Sequence, residues 1–253
     1  MSRGISLMTP KDKLIVALDV DSADRALDLF AALCDVAGMF KIGSQLFTAA
    51  GPEIVRRIVA KGGRVFLDLK FHDIPNTVAA AAVEAARLGV SIVNVHASGG
   101  AEMMRRAADA VSEAAAREGL PKPKMIAVTL LTSLDEEALK QIGISGEARM
   151  IVANLARAAA TSGLEGVVAS PHEIQIIRET VPTPGFLIVT PGIRPNRVAT
   201  DDQRRVMTVA EAIRSGADYV VVGRPILNAD EPLAAANSIV AEIESAITGA
   251  NAH

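Results

Sequence analysis

Val65-Phe66-Leu67-Asp68-Leu69-Lys70-Phe71-His72-Asp73 begins as an apolar strand and turns charged at its end. Side chains alternate across a strand, so Phe66, Asp68 and Lys70 share one face while Val65, Leu67 and Leu69 share the other. The second face is wholly apolar and suits packing against helices. The first must open on a wet cavity, because charges inside a core are costly unless they are paired or used. A strand with one face for helices and the other for a charged interior belongs to a parallel sheet with its mouth at the strand ends.

Seven further apolar runs occupy residues 14–19, 39–43, 91–96, 124–130, 166–169, 186–190 and 219–223. Longer Ala-, Glu- and Arg-rich stretches of helical period separate them. The repeat averages about 29 residues, close to one βα unit. Eight such units predict an α/β fold, a (β/α)8 TIM barrel, with residues 1–253 forming a single domain. Composition does not break along the chain, and Gly51-Pro52, Gly62-Gly63 and Pro191-Gly192 fall at unit junctions. An open doubly wound sheet would bring a Gly-rich nucleotide loop after its first strand. Here residues 14–19 run into Val20-Asp21-Ser22, which reads as a helix cap, and no G-x-x-x-x-G-K-[ST] loop occurs.

Charge and composition exclude several functions. With 26 Lys plus Arg against 29 Asp plus Glu, six Phe, one Tyr and no Trp, the chain has neither the basic surface nor the stacking platform of a nucleic-acid binder. Half of the residues are hydrophobic, enough to bury a large core. No run is long and apolar enough to span a membrane, since Glu84 and Arg87 interrupt the longest Ala-rich stretch. Residues 1–13 lack a signal-peptide core, and the single cysteine, Cys34, cannot form an internal disulfide. Both features predict a cytoplasmic protein, with Cys34 as a buried small hydrophobe.

Polar residues that end barrel strands face the active site. Asp19, Lys41, Asp68, Lys70 and His96 hold such positions, and Asp73 completes an Asp-x-Lys-x-x-Asp set in the turn after the third strand. A lysine between carboxylates has its charged form favoured, so Lys70 is suited to donate a proton and not to form a Schiff base. Metal binding is the rival use of Asp19, Asp68 and Asp73, but Lys41 places a cation where another oxygen ligand would help. At the far end of the chain, Val221-Val222-Gly223-Arg224-Pro225 ends a strand in glycine and opens a helix beside an arginine, a setting that favours phosphate. Residues 192–205 form the longest polar connection after a strand, a candidate lid carrying Arg194 and Gln203.

Asp68-Leu69-Lys70-Phe71-His72-Asp73-Ile74-Pro75-Asn76-Thr77 resembles the signature of the orotidine 5′-phosphate decarboxylase family. The resemblance extends in order through Leu18-Asp19, Phe40-Lys41-Ile42-Gly43, Val95-His96-Ala97-Ser98-Gly99-Gly100, Leu131-Thr132-Ser133, Thr190-Pro191-Gly192-Ile193-Arg194 and Gly223-Arg224-Pro225. It implies decarboxylation of orotidine 5′-phosphate to uridine 5′-phosphate in pyrimidine biosynthesis, without metal or organic cofactor. It further implies that Lys70 protonates C6 of the pyrimidine and that Asp68 lies beside the substrate carboxylate. Lys41 would bond the ribose and Asp68, and Asp19 a ribose hydroxyl. Thr132 and Ser133 would meet the ring, while Arg194, Gln203, Gly223 and Arg224 hold the phosphate. By the same resemblance the protein is a homodimer in which Asp73 and Thr77 reach the neighbouring active site. His72 is assigned packing or hydrogen bonding. A magnesium-dependent sugar-phosphate decarboxylase or aldolase-like relative shares Asp-x-Lys-x-x-Asp, but carries a carboxylate in place of Lys41 and lacks the Thr-Ser pair. A non-catalytic phosphate-binding barrel would gain little from burying like charges near a substrate carboxylate.

Overall fold

A computed structural model of the chain describes residues 8–193 and 207–250. Its eight strands close into a parallel barrel in chain order, β1 pairing with β8. They are β1 Leu14–Ala17, β2 Met39–Gly43, β3 Val65–Phe71, β4 Ile92–His96, β5 Lys124–Val128, β6 Gly166–Val168, β7 Leu187–Thr190 and β8 Tyr219–Val222. All eight expected runs are strands. Their boundaries agree with the expected ones to within two residues, the most consequential difference being at β1, where Asp19 lies past the ladder.

The helices are α1 Ala23–Leu33, α2 Ser44–Ala50, α3 Glu53–Ala60, α4 Pro75–Arg87, α5 Ala101–Glu118, α6 Glu136–Gln141, α7 Ala148–Thr161, α8 Ile174–Thr180, α9 Val209–Arg214, α10 Arg224–Leu227 and α11 Pro232–Ala250. In α4, proline at the first helical position suits a turn whose N–H groups lack intrahelical partners. Its buried residues Val78, Ala82, Ala85 and Ala86 recur at helical spacing and form the stripe that faces the barrel. Ser22 precedes α1 as the cap position expected, but without a side-chain capping bond. Among the described residues no helix is long and apolar enough to cross a membrane.

Strand alternation builds two cores. Outward residues such as Phe40, Ile42, Val65, Leu67, Val93 and Val95 pack with the helices, whereas Ile15, Ala17, Met39, Phe66, Ile92, Ile126, Val128, Val168, Val189, Tyr219 and Val221 fill the barrel. Following the inward parity toward the mouth, Ile15 and Ala17 lead to Asp19, Met39 to Lys41, Phe66 to Asp68, and Ile92 to Asn94 and His96. The apolar floor thus carries the polar groups above it on the same pleats.

The opposite end is braced. Asp218 Oδ2 accepts from Arg178 Nη2 at 2.6 Å and from the Ile188 N–H at 2.7 Å, while Arg178 also donates to the Gly216 and Phe186 carbonyls. Glu165 Oε2 likewise accepts the Met125 N–H at 2.8 Å. These bonds satisfy backbone groups at the strand starts and leave the other face free for chemistry. Cys34 departs from expectation. It is exposed, because it caps α1 beyond the helix's buried stripe of Ala26, Leu27, Phe30 and Leu33.

Candidate active site

The barrel mouth holds a cavity of about 720 Å³ whose floor includes Ala17, Phe66, Val128, Val168 and Val221. Asp19, Lys41, Asp68, Lys70, Thr132, Gly223 and Arg224 also line it. Charges alternate across one side: Lys41 Nζ lies 2.9 Å from Asp19 Oδ1 and 3.4 Å from Asp68 Oδ2, and Lys70 Nζ lies 2.7 Å from Asp68 Oδ1. The chain Asp19–Lys41–Asp68–Lys70 is neutral in sum, which offsets part of the desolvation that buries it. Its members differ in exposure. The Asp68 and Lys41 side chains are only 11% and 12% exposed, whereas Lys70 is 33% and Asp19 53% exposed. The buried inner pair holds the geometry, and the ammonium of Lys70 is left accessible to a ligand. The ammonium of Lys41 occupies the gap between the Asp19 and Asp68 carboxylates that a divalent cation would bridge. Gly43 keeps room for it: a Cβ there would lie 3.1 Å from Lys41 Nζ.

Strict alternation does not describe the end of β3. Leu67 pairs with Val93 but Phe71 pairs with Val95, so four steps of β3 match two of β4. At this bulge Lys70 takes a left-handed backbone, φ 53°, and is the one non-glycine with positive φ among the described residues. A side chain in that conformation costs about 1–2 kcal/mol, and such outliers persist where surrounding contacts impose them. The contact here is Asn94, fully buried, whose Oδ1 accepts the Lys70 N–H at 2.9 Å and whose Nδ2 donates to Asp68 Oδ1 at 2.7 Å. Sequence reasoning passed over Asn94. A polar side chain on the inward parity of Ile92-Val93-Asn94-Val95-His96 was the available signal, since a buried amide needs partners.

Other expected residues are placed differently. Asp73 is exposed outside the cavity lining, and its Oδ1 accepts the N–H of Ile74 at 2.6 Å. Among the described residues Lys70 is therefore paired with Asp68 alone, not flanked by two carboxylates, because the bulge and the turn carry Asp73 away from the mouth. Thr77, in the first turn of α4, is also exposed and off the lining, as is Ser133, next to the lining residue Thr132. Arg194, Gln203 and most of the expected lid at residues 192–205 lie outside the described residues.

His72 and His96 pack with ring centroids 5.4 Å apart, and His72 also lies against Gly99, in keeping with a packing role. Burial, and then the nearby His72 and Lys70, hold the His96 pKa below its ordinary value, against the pull of Asp68. The folded state thus resists a proton that the unfolded chain accepts near pH 6.5. The unfolded state binds more protons there, so this contribution to stability is present above about pH 6.5 and lost as pH falls toward the lower folded value. Thermal melts from pH 7.5 to 5 should show a steeper loss of Tm for the wild type than for His96→Asn. Equal slopes would assign the acid sensitivity to another group.

The profile of the Orotidine 5′-phosphate decarboxylase / HUMPS family matches residues 12–239. A relative from Moorella thermoacetica named orotidine 5′-phosphate decarboxylase is 57% identical over 94% of this chain and 94% of its own. One of the same name from Geobacter sulfurreducens is 53% identical over 92% of this chain and 96% of its own. The crystal structure of orotidine 5′-phosphate decarboxylase from Lactobacillus acidophilus superposes with a TM-score of 0.80 at 37% identity, covering 91% of this chain and 98% of that one. With its closed barrel, its charged mouth and relatives that match it nearly end to end, the chain belongs to the orotidine 5′-phosphate decarboxylase family.

Proposed function

We propose that Lys70 is the proton donor in the reaction this enzyme carries out, the decarboxylation of orotidine 5′-phosphate to uridine 5′-phosphate and carbon dioxide in pyrimidine biosynthesis. The observation that carries the assignment is the alternating Asp19–Lys41–Asp68–Lys70 array at the mouth of the cavity. Breaking the bond from C6 to the carboxylate leaves an electron pair on C6 that the ring hardly delocalises. A cation held in advance at that carbon stabilises the developing charge without reorganising. Lys70 then gives a proton to C6, forming the C–H bond, and its neutral amine regains a proton from water. Asp68 lies beside the departing carboxylate and holds the Lys70 Nζ in place through their 2.7 Å ion pair.

The remaining groups bind. Asp19 and Lys41 take the ribose hydroxyls, while Thr132 and Ser133 meet the pyrimidine. Across the cavity, Arg224 and the Gly223 N–H hold the phosphate, with Arg194 and Gln203 completing the set. Neither a metal nor an organic cofactor enters these steps. The enzyme acts as a homodimer of single-domain subunits, residues 1–253, in the cytoplasm, with Asp73 and Thr77 completing the neighbour's site. Supporting the dimer, both residues are exposed and off their own cavity, and Ile74 between them is an apolar side chain left 67% exposed.

The test is the ultraviolet absorbance of orotidine 5′-phosphate mixed with the purified protein, with and without EDTA. Loss of the orotate chromophore at the same rate in both is expected. Loss abolished by EDTA and restored by magnesium would replace the reading with a metal-assisted one.

A further inference from the structure

Asn94 stands on the inward face of β4 between Ile92 and His96, closed off from solvent and outside the cavity lining. Both of its side-chain bonds reach β3, at the stretch where the β3–β4 ladder is interrupted between Leu67 and Phe71. One partner, the Asp68 carboxylate, requires a donor. The other, the Lys70 N–H, requires an acceptor. A carboxamide offers one of each from a single planar group, which neither an ionised aspartate nor an aliphatic residue of that size can do.

We infer that Asn94 is a positioning residue for the decarboxylation: its amide ties the Asp68 carboxylate to the left-handed Lys70 backbone, so that the Lys70 ammonium is held at one place over the reacting carbon. The inference rests on the proton-donor reading of Lys70 above. Asp68 Oδ1 receives both Lys70 Nζ and Asn94 Nδ2 at 2.7 Å, so the amide sets the direction from which that oxygen meets the ammonium. Lys70 is bonded at both its backbone and its side-chain end, and a positively turned backbone is kept from relaxing. Because Asn94 does not touch the cavity, its influence falls on turnover and not on substrate affinity.

Asn94→Asp keeps the shape and the acceptor for the Lys70 N–H but replaces the donor with a second carboxylate facing Asp68. At pH 8 its kcat should fall about 100-fold, the scale of a displacement near 1 Å, with KM within about threefold. At pH 6 the new carboxyl is largely protonated and offers an O–H to Asp68, so kcat relative to wild type should recover at least about tenfold. Asp68 and Lys70 on β3, Lys41 on β2, Asp19 after β1, His96 on β4 and His72 face this cluster in both proteins, so the ratio to wild type isolates the new group. Asn94→Leu, similar in volume and without polar atoms, should lose kcat equally at both pH values.

Three results would overturn the inference: Asn94→Asp within threefold of wild type at pH 8, a deficit as pH-independent as that of Asn94→Leu, or failure of both variants to fold by circular dichroism. Lys70→Ala assayed alongside separates the two levels. If Lys70→Ala is inactive and Asn94→Asp is normal, only the role of Asn94 falls. If Lys70→Ala stays active, the proton-donor reading falls and takes the inference with it.

Discussion

Lys70→Ala lowers kcat by about 10⁵-fold, the combined scale of losing a general acid and a preorganised charge at the reacting carbon. KM should change far less, since the proposed ribose and phosphate contacts are made by other groups. The expected loss is large because the other ammonium of the array, Lys41, is held by Asp19 and Asp68 with only 12% exposure. The fold should survive. Asp68 keeps Lys41 and Asn94 as partners, so the substitution does not leave a buried carboxylate alone. Alanine still pays for the left-handed backbone that Lys70 adopts, so Tm should move by only a few degrees. Orotate absorbance gives the rate and a thermal melt checks the fold. A variant within tenfold of wild type would remove Lys70 from the chemistry.

Mixing two inactive proteins should restore activity if sites are shared between subunits. In the proposed homodimer, Asp73→Asn and Lys70→Ala would each disable every site of their own dimer. In a mixed dimer one site carries both defects and the other carries neither. Random exchange of equal amounts makes half of the dimers mixed, so recovery should approach about one quarter of wild-type activity. Each parent alone should remain at least about 10³-fold down, which makes the recovered signal unambiguous. The geometry behind this expectation is that Asp73 and Thr77 lie exposed and off the cavity that Asp19, Lys41, Asp68 and Lys70 line. No recovery, with subunit exchange verified by native mass spectrometry, would place Asp73 in the site of its own chain or outside catalysis.

Much of the site was legible because it depends on strand parity, a local property. Met39 to Lys41 and Phe66 to Asp68 are steps of two within single strands, and an apolar residue at the bottom of each pleat predicts which polar residue faces the mouth. The placement of Gly223 and Arg224 on the cavity wall was legible for the same reason, lying at the junction of one strand and one helix. Cys34 was misjudged at a helix end, where the outward or inward turn depends on which residues the helix packs beneath it.

The sequence by itself determined the eight βα units, their order and the apolar floor beneath a charged mouth. Periods of two and of helical length are set within a few residues of each position, and burial of the resulting faces leaves a closed barrel as the compact solution. Only the tertiary structure decided the bulge that turns Lys70, the bond from Asn94 to residues 24 and 26 positions away, and the separation of Asp73 from the carboxylates it resembles in spacing. These features follow from the register between neighbouring strands. Register is a property of two segments at once, fixed when their side chains meet and invisible in either alone.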